Sequence, residues 1–228
     1  MISSIYKKSF SVLASKPLRL WGISLLSIFL SMAAHILFGV IPGAAIAIGL
    51  LLETSMTLIY LNGFLGQEVK TLQLFDCFRS WRTIGRVLGG MAWMLMWVLL
   101  WSLIPVAGVV FGVIKFYSYR LTPYILMKEP EVKATEAYKL SEQRTMGYKG
   151  KMFWADVLPV LAYIAAVLIL SVFSAIPYLG WLFALVLAVL VGAFAVFLPL
   201  FLGLVQSAFY VEIQKSLDPP AADMGWYE

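Results

Sequence analysis

Five polar side chains that could bind or pass on a ligand lie within otherwise apolar stretches of this sequence: Glu53, Lys115, His35, Arg120 and Gln206. Three of them carry or can carry a charge at neutral pH, His35 can exchange a proton, and Gln206 can both donate and accept hydrogen bonds. A charge at the centre of a membrane helix costs about 2.5–3.5 kcal/mol on insertion scales, so it needs a partner or water. If these stretches cross a membrane, the five residues are candidates for buried ion pairs or for a solute pathway.

Glu53 and Lys115 occupy matching positions after two proline turns. Glu53 follows Pro42 by 11 residues, and Lys115 follows Pro105 by 10 residues. Both would therefore lie at nearly the same depth, on helices that run in the same direction. We expect the two side chains to face the interior of the bundle and to approach each other. An ion-paired packing contact and a substrate or proton pathway both remain open.

The other three polar residues favour structural roles. His35 stands alone among Leu, Ile and Met, so we expect a hydrogen-bonded packing residue rather than a ligand. Arg120 is long enough to extend from its helix towards the cytoplasmic face. Gln206 and Asn62 are suited to hydrogen bonds between neighbouring helices.

No arrangement of catalytic or metal-binding residues is recognisable. The sequence has one histidine and one cysteine, Cys77, which excludes an intramolecular disulfide and a zinc site built from these residues. No glycine-rich phosphate loop precedes a Lys-Ser or Lys-Thr pair, which argues against an ATPase. We therefore predict a non-enzymatic protein with no cofactor and no metal, and keep a lipid-handling enzyme as a distant third alternative.

The composition indicates a membrane protein. Hydrophobic residues make up 62% of the 228 residues, charged residues make up 13%, and the mean hydropathy is +0.90. A water-soluble fold of this size could not bury so much apolar surface. An apolar stretch of about 20 residues can cross the hydrocarbon core as a helix. The sequence predicts an all-α, polytopic transmembrane bundle with six spans, at residues 20–40, 43–64, 87–104, 106–127, 154–175 and 180–213, the last kinked at Pro199.

The charges predict how these spans are oriented. Apart from Lys115 and Arg120, the basic residues fall at 7–19, 70–86, 128–151 and 215, whereas the turns at Ile41-Pro42, Ile104-Pro105 and Ile176-Pro177 are uncharged. Because Lys and Arg are retained in cytoplasmic loops, both termini are predicted to be cytoplasmic. The net charge of +5 is then a topology signal, and no nucleic-acid partner is expected.

The three helix pairs resemble copies of one hairpin unit within a single transmembrane domain, 1–215. The pseudo-repeats cover about 1–66, 67–130 and 131–215, and a cytoplasmic tail follows at 216–228. Each pair is preceded by a short segment with helical periodicity, at 2–13, 72–84 and 132–146. Such a helix either lies in the membrane surface or packs against the bundle, and both alternatives remain open.

Several basic residues are candidates for contact with anionic headgroups at the cytoplasmic face of the bilayer. They are Arg79, Arg82, Arg86, Lys149 and Lys151. Asp156 is expected to join the last two in an interfacial charge cluster. Besides lipid, a membrane-protein partner or a second copy of the chain remains open.

One region resembles a known family. Residues 116–126 read Phe-Tyr-Ser-Tyr-Arg-Leu-Thr-Pro-Tyr-Ile-Leu, and Glu136-Ala137, Ser141, the run 146–151 (Met-Gly-Tyr-Lys-Gly-Lys) and Phe153 follow. This region is similar to the bacterial integral-membrane family called "domain of unknown function 975", which is akin to the membrane domain of some glycerophosphoryl diester phosphodiesterases. The resemblance implies a six-helix protein of the bacterial cytoplasmic membrane, without an established activity and without catalytic residues to transfer.

The sequence therefore favours a non-enzymatic, multi-pass membrane protein that organises the membrane or assists transport. The alternative is a small transporter or channel that uses Glu53 and Lys115. A water-accessible cavity that reaches Glu53 would favour transport. A dry interior with exposed amphipathic helices would favour the first function.

Overall fold

The computed structural model describes residues 1–15, 17–41, 43–174, 176 and 178–217, and no strand occurs among them. Two of the predicted turn prolines, Pro42 and Pro177, the end of the fifth predicted span at Ala175 and the tail from 218 onward lie outside the described residues. The α-helices of the described chain are α1 (Ile2–Ser15), α2 (Pro17–Phe38), α3 (Ala44–Phe64), α4 (Trp81–Ser102), α5 (Gly108–Ser118), α6 (Thr122–Lys128), α7 (Ala137–Arg144), α8 (Lys149–Ser174) and α9 (Gly180–Leu217). A 3₁₀ segment, Thr71–Phe78, lies between α3 and α4.

Five of these helices are long and apolar enough to cross a membrane: α2, α3, α4, α8 and α9. The prediction of an all-α protein with several membrane-length helices is confirmed at this level. These helices correspond to the first, second, third, fifth and sixth predicted spans. The last is one helix of 38 residues that continues through Pro199.

The fourth predicted span, 106–127, is not one helix. α5 has 11 residues, which at 1.5 Å per residue is about 16 Å, and it ends at Ser118. α6 begins at Thr122, where a proline in the first turn suits a helix start. The apolar composition of the stretch gave no sign of this interruption.

α5 and α6 nevertheless follow α4 along its length. Gly108 and Gly112 of α5 face Ser102 at the end of α4, so closely that a Cβ on either glycine would clash with it. Nearer the start of α4, Gly90 faces Leu126 of α6 in the same way. The two short helices together therefore form one antiparallel partner of α4.

The two longest helices, α8 and α9, are each buried over one part and exposed and apolar over the rest. The buried parts, 152–155 of α8 and 200–213 of α9, are called the buried base. The buried side chains of α9 all lie between Leu200 and Ile213, while Trp181 and many other apolar side chains of residues 180–199 are exposed. In α8 only Met152 and Ala155, both near its start, are buried. Exposed apolar area of this extent marks a surface for lipid or for another protein.

The shorter helices pack around the buried base. α1 contacts α9 and buries Ile5, Ser9 and Leu13, so this face packs against protein. The predicted apolar stripe of the second segment is divided, because Leu72 and Trp81 are 75% and 86% exposed whereas Phe78 and Ile84 pack against the core. The helices of the α2–α3, α4–α5 and α8–α9 pairs pack against each other within each pair.

Candidate functional site

A polar cavity of about 450 Å³ lies between α2, α3 and α9. Glu53 of α3 lines it, and its side chain is accessible from the cavity. His35, Arg120 and Gln206 line the same cavity. Four of the five polar residues that the sequence singled out are thus brought together, and Lys115 is not among the lining residues.

The wall that α2 contributes is a row of small polar residues. Ser24, Ser27, Ser31 and His35 recur every three or four residues, so they share one face of the helix. Nδ1 of His35 donates to the Ser31 carbonyl oxygen at 2.8 Å, which leaves Nε2 as the acceptor of a neutral ring. A second cavity of about 580 Å³ shares three of these residues and reaches Ile36, near the end of α2. The polar residues of this second cavity are therefore the three that it shares with the first, and the residues that it adds, Met32 and Ile36, are apolar.

Tyr60 joins the three helices beside the cavity. Its hydroxyl lies 3.3 Å from the Ser24 hydroxyl of α2. Its ring packs on Gly203 of α9, where a Cβ would clash with it. On the same face of α3, Thr57 donates to the Glu53 carbonyl oxygen at 3.0 Å, so it satisfies its hydroxyl within the helix.

Arg120 is held at the cavity wall by contacts on three sides. Its side chain is only 8% exposed, and Nη1 forms an ion pair with Asp156 of α8. With the Gln206 amide oxygen turned towards it, Nε and Nη2 of Arg120 both donate to that oxygen. The guanidinium carbon lies 5.1 Å from the ring centre of Tyr117, whose hydroxyl donates to Asp156 Oδ2 at 3.0 Å. These partners bury the Arg120 side chain, and its predicted direction towards the cytoplasmic face stays a prediction.

The charges around the cavity do not cancel. Arg120 is neutralised by Asp156, so Glu53 remains as a second carboxylate within electrostatic reach of the guanidinium. Within the described part of the chain, the Glu53 carboxylate forms no hydrogen bond and no ion pair. When both carboxyl groups are ionised, the site therefore carries one net negative charge. Asp156, which the sequence assigned to a cluster with two lysines, is instead part of this site.

The interruption between α5 and α6 places Arg120 where these contacts form. It frees backbone groups, and two hydroxyls of the α7 region satisfy them. The Ser118 carbonyl oxygen accepts from Ser141 Oγ at 2.9 Å and from Thr145 Oγ1 at 3.0 Å, and the Leu121 N–H donates to Ser141 Oγ at 3.0 Å. Because an unpaired buried peptide group is costly, these hydroxyls stabilise the interruption. Ser141 stood out in the sequence only as part of the family resemblance, and Thr145 did not stand out.

Lys115 pairs with a different carboxylate from the one predicted. Its Nζ donates to Glu142 Oε1 at 2.6 Å and lies 4.7 Å from the ring centre of Trp101. Lys149 approaches the same carboxylate oxygen at 3.9 Å. The predicted Glu53–Lys115 pair is wrong, because α7 brings Glu142 to α5 while Glu53 faces the cavity beside α2 and α9.

The residues predicted to meet headgroups have different surroundings. Arg86 donates to the carbonyl oxygens of Leu126 at 3.0 Å and Glu129 at 2.8 Å, so it ties α4 to α6 rather than facing lipid. Three are exposed, namely Arg79, Arg82 and Lys151, and Lys149 is partly buried.

Among the described residues, no three His, Cys, Asp or Glu side chains are grouped as a metal site would require. Comparison of the chain with known protein families, curated proteins and solved structures gives no match.

Proposed function

We propose that this chain is a multi-pass membrane protein that carries or conducts a small polar solute through the cavity at Glu53. The observation behind the proposal is the cavity of about 450 Å³ between membrane-length helices, lined by a carboxylate, an arginine, a histidine and an amide. Ionisable groups between such helices are costly unless they are paired or serve a function, and they commonly mark solute or ion pathways.

The interruption of α5–α6 at Arg120 supports the same proposal. Transporters often form their binding sites where a membrane helix is discontinuous, because the break brings polar groups to mid-membrane depth. Six crossings would require α5 and α6 to act as one interrupted crossing, and their joint course along α4 is compatible with this. The charge distribution supports cytoplasmic termini, and the resemblance stated above supports a bacterial cytoplasmic membrane.

A cavity-filling substitution tests the proposal. Gly49 lines the cavity and has no atom within 4 Å of where its Cβ would be, so Gly49→Trp places a large side chain at the cavity wall without a clash at the Cβ. Gly85 of α4 has equally open space and does not line this cavity, so Gly85→Trp is the matched control. Proteoliposomes are assayed for uptake of methylammonium, acetate and glycerol.

We expect faster uptake of at least one probe than in empty liposomes, and at least a tenfold loss in Gly49→Trp alone. Uptake equal to that of empty liposomes for all three probes would contradict the proposal. Equal loss in Gly85→Trp would show that the effect does not come from the cavity.

A second candidate function, organisation of the membrane surface, is supported by a different observation. Leu72, Phe75 and Trp81 are exposed next to the exposed Arg79 and Arg82, an arrangement that suits an anionic membrane surface. Replacing the three apolar residues with Ser would weaken membrane organisation, yet it would leave uptake through the cavity unchanged. Fluorescence microscopy of the tagged protein distinguishes the two functions. The three Ser substitutions should alter the distribution of the protein only if it organises the membrane surface.

A further inference from the structure

The solute that the cavity accepts can be narrowed to a chemical class. From the charge balance and the lining, and resting on the proposed function, we infer that the cavity binds a small organic ammonium ion, with Glu53 as its counter-ion. The inference depends on which of the charged groups already have partners.

Arg120 is unsuited to gripping an anion. Its Nη1 is paired with Asp156, its Nε and Nη2 donate to Gln206, and its planar face lies against Tyr117. An entering carboxylate or phosphate would have to displace these partners and leave Asp156 buried without a counter-ion. Removing one partner of a buried pair is strongly unfavourable.

Glu53 has the opposite character. Its carboxylate has no partner among the described residues, and it is accessible from the cavity. A cation bound there would neutralise the site, whereas an anion would add to its negative charge. Because the attraction between opposite charges is stronger between helices than in water, the site favours a cation over an anion.

The remaining lining fits an ammonium group. An alkylammonium ion offers N–H donors that need acceptors, and the hydroxyl oxygens of Ser27 and Thr57 line the same cavity as Glu53. A bare divalent metal ion is less well served, because it takes about six or more ligands, mostly carboxylate, carbonyl and water oxygens, and Glu53 is the one carboxylate among the lining residues.

The test separates the substrate class from the proposed function. Uptake of methylammonium, acetate and glycerol is measured for the wild type, Glu53→Gln and Glu53→Asp. Glu68→Gln is the matched control, since Glu68 is exposed, lies outside this cavity and pairs with Arg19 and Lys70. Binding of methylammonium to the purified protein is measured separately by isothermal titration calorimetry.

We expect methylammonium to be the preferred probe and its uptake and affinity to fall at least tenfold in Glu53→Gln. Glu53→Asp should keep most of both, and Glu68→Gln should match the wild type. Uptake of acetate or glycerol in preference to methylammonium would overturn the substrate class and leave the proposed function standing. Unchanged methylammonium affinity in Glu53→Gln would overturn the role of Glu53, and no uptake of any probe would overturn both proposals.

Discussion

The ion pair between Arg120 and Asp156 is the contact on which the cavity depends most. Both side chains are nearly buried, with exposures of 8% and 13%. Arg120→Met removes the cation and leaves the Asp156 carboxylate in the interior with only the Tyr117 hydroxyl as a hydrogen-bond partner. Breaking a buried pair in this way costs about 3–5 kcal/mol, most of which is the penalty for the remaining unpaired charge.

This cost converts into a measurable change in thermal stability. For a chain of this size, 1 kcal/mol shifts the melting temperature by about 2–4 °C, so Arg120→Met should lower it by about 6–20 °C. Circular dichroism at 222 nm in detergent micelles follows the loss of helix. The double variant Arg120→Met/Asp156→Asn should recover at least half of the loss, because asparagine carries no charge and can still accept from Tyr117.

Lys115→Met is the matched control for removing a cation from an ion pair. Glu142 would keep Lys149 as a second partner at 3.9 Å, and the Lys115 side chain is more exposed, at 18%. We therefore expect a smaller loss than in Arg120→Met. The reasoning is refuted if the two single variants lose equal stability, or if the double variant is no more stable than Arg120→Met.

Three further predictions follow from the same contacts and charges. Ser141→Ala should destabilise the protein by about 1–3 kcal/mol, because it removes the donor to one buried peptide group and the acceptor of another. Thr145→Val should cost less stability, and equal losses in thermal unfolding would contradict this prediction. Burial raises the pKa of the Cys77 thiol, so little thiolate forms below pH 9. N-ethylmaleimide should therefore modify Cys77 slowly in the native protein and rapidly in denaturant, and equal rates would count against the packing around Cys77. On a Cys77→Ala background, single cysteines placed at the exposed turn residues Val106 and Tyr178 should react with a membrane-impermeant maleimide added outside intact cells. Labelling only after lysis would contradict the orientation that the charges predict.

The helices could be predicted from the sequence wherever apolar runs are continuous. Five of the six predicted spans coincide with membrane-length helices, because length and hydropathy determine whether a helix can cross a membrane. The remaining stretch, 106–127, is the fourth predicted span; it is also mostly apolar, yet it is interrupted at Tyr119, Arg120 and Leu121. The cause is the pairing of the freed backbone groups with Ser141 and Thr145, more than 20 residues away, and a single sequence does not reveal such a contact.

Four residues of the site were predicted from the sequence, but the residues that pair with the charged side chains were not. Glu53, His35, Arg120 and Gln206 stood out because polar residues in apolar stretches are expensive, and the cavity brings them together. The pairing of Glu53 with Lys115 was predicted from their equal depth in the membrane. Equal depth is a weak constraint, because residues at one depth can lie on different faces of their helices. Lys115 and Glu53 are such a case, and Asp156 was misplaced because its nearest charges in the sequence are not its nearest charges in space.

Pro199 extends the same reasoning to α9, where it lines the cavity. Proline has no N–H to donate, so the Ala195 carbonyl loses its helical hydrogen bond next to the site. Proline costs a helix interior about 3 kcal/mol relative to alanine, so we expect Pro199 to shape the cavity wall at a cost in helix stability. Pro199→Ala should therefore raise the melting temperature and slow methylammonium uptake in proteoliposomes, with Pro159→Ala in α8, which does not line the cavity, as the matched control. If Pro199→Ala raises stability as much as Pro159→Ala and leaves uptake unchanged, the proline has no role at the site, and the interruption at Arg120 alone shapes it.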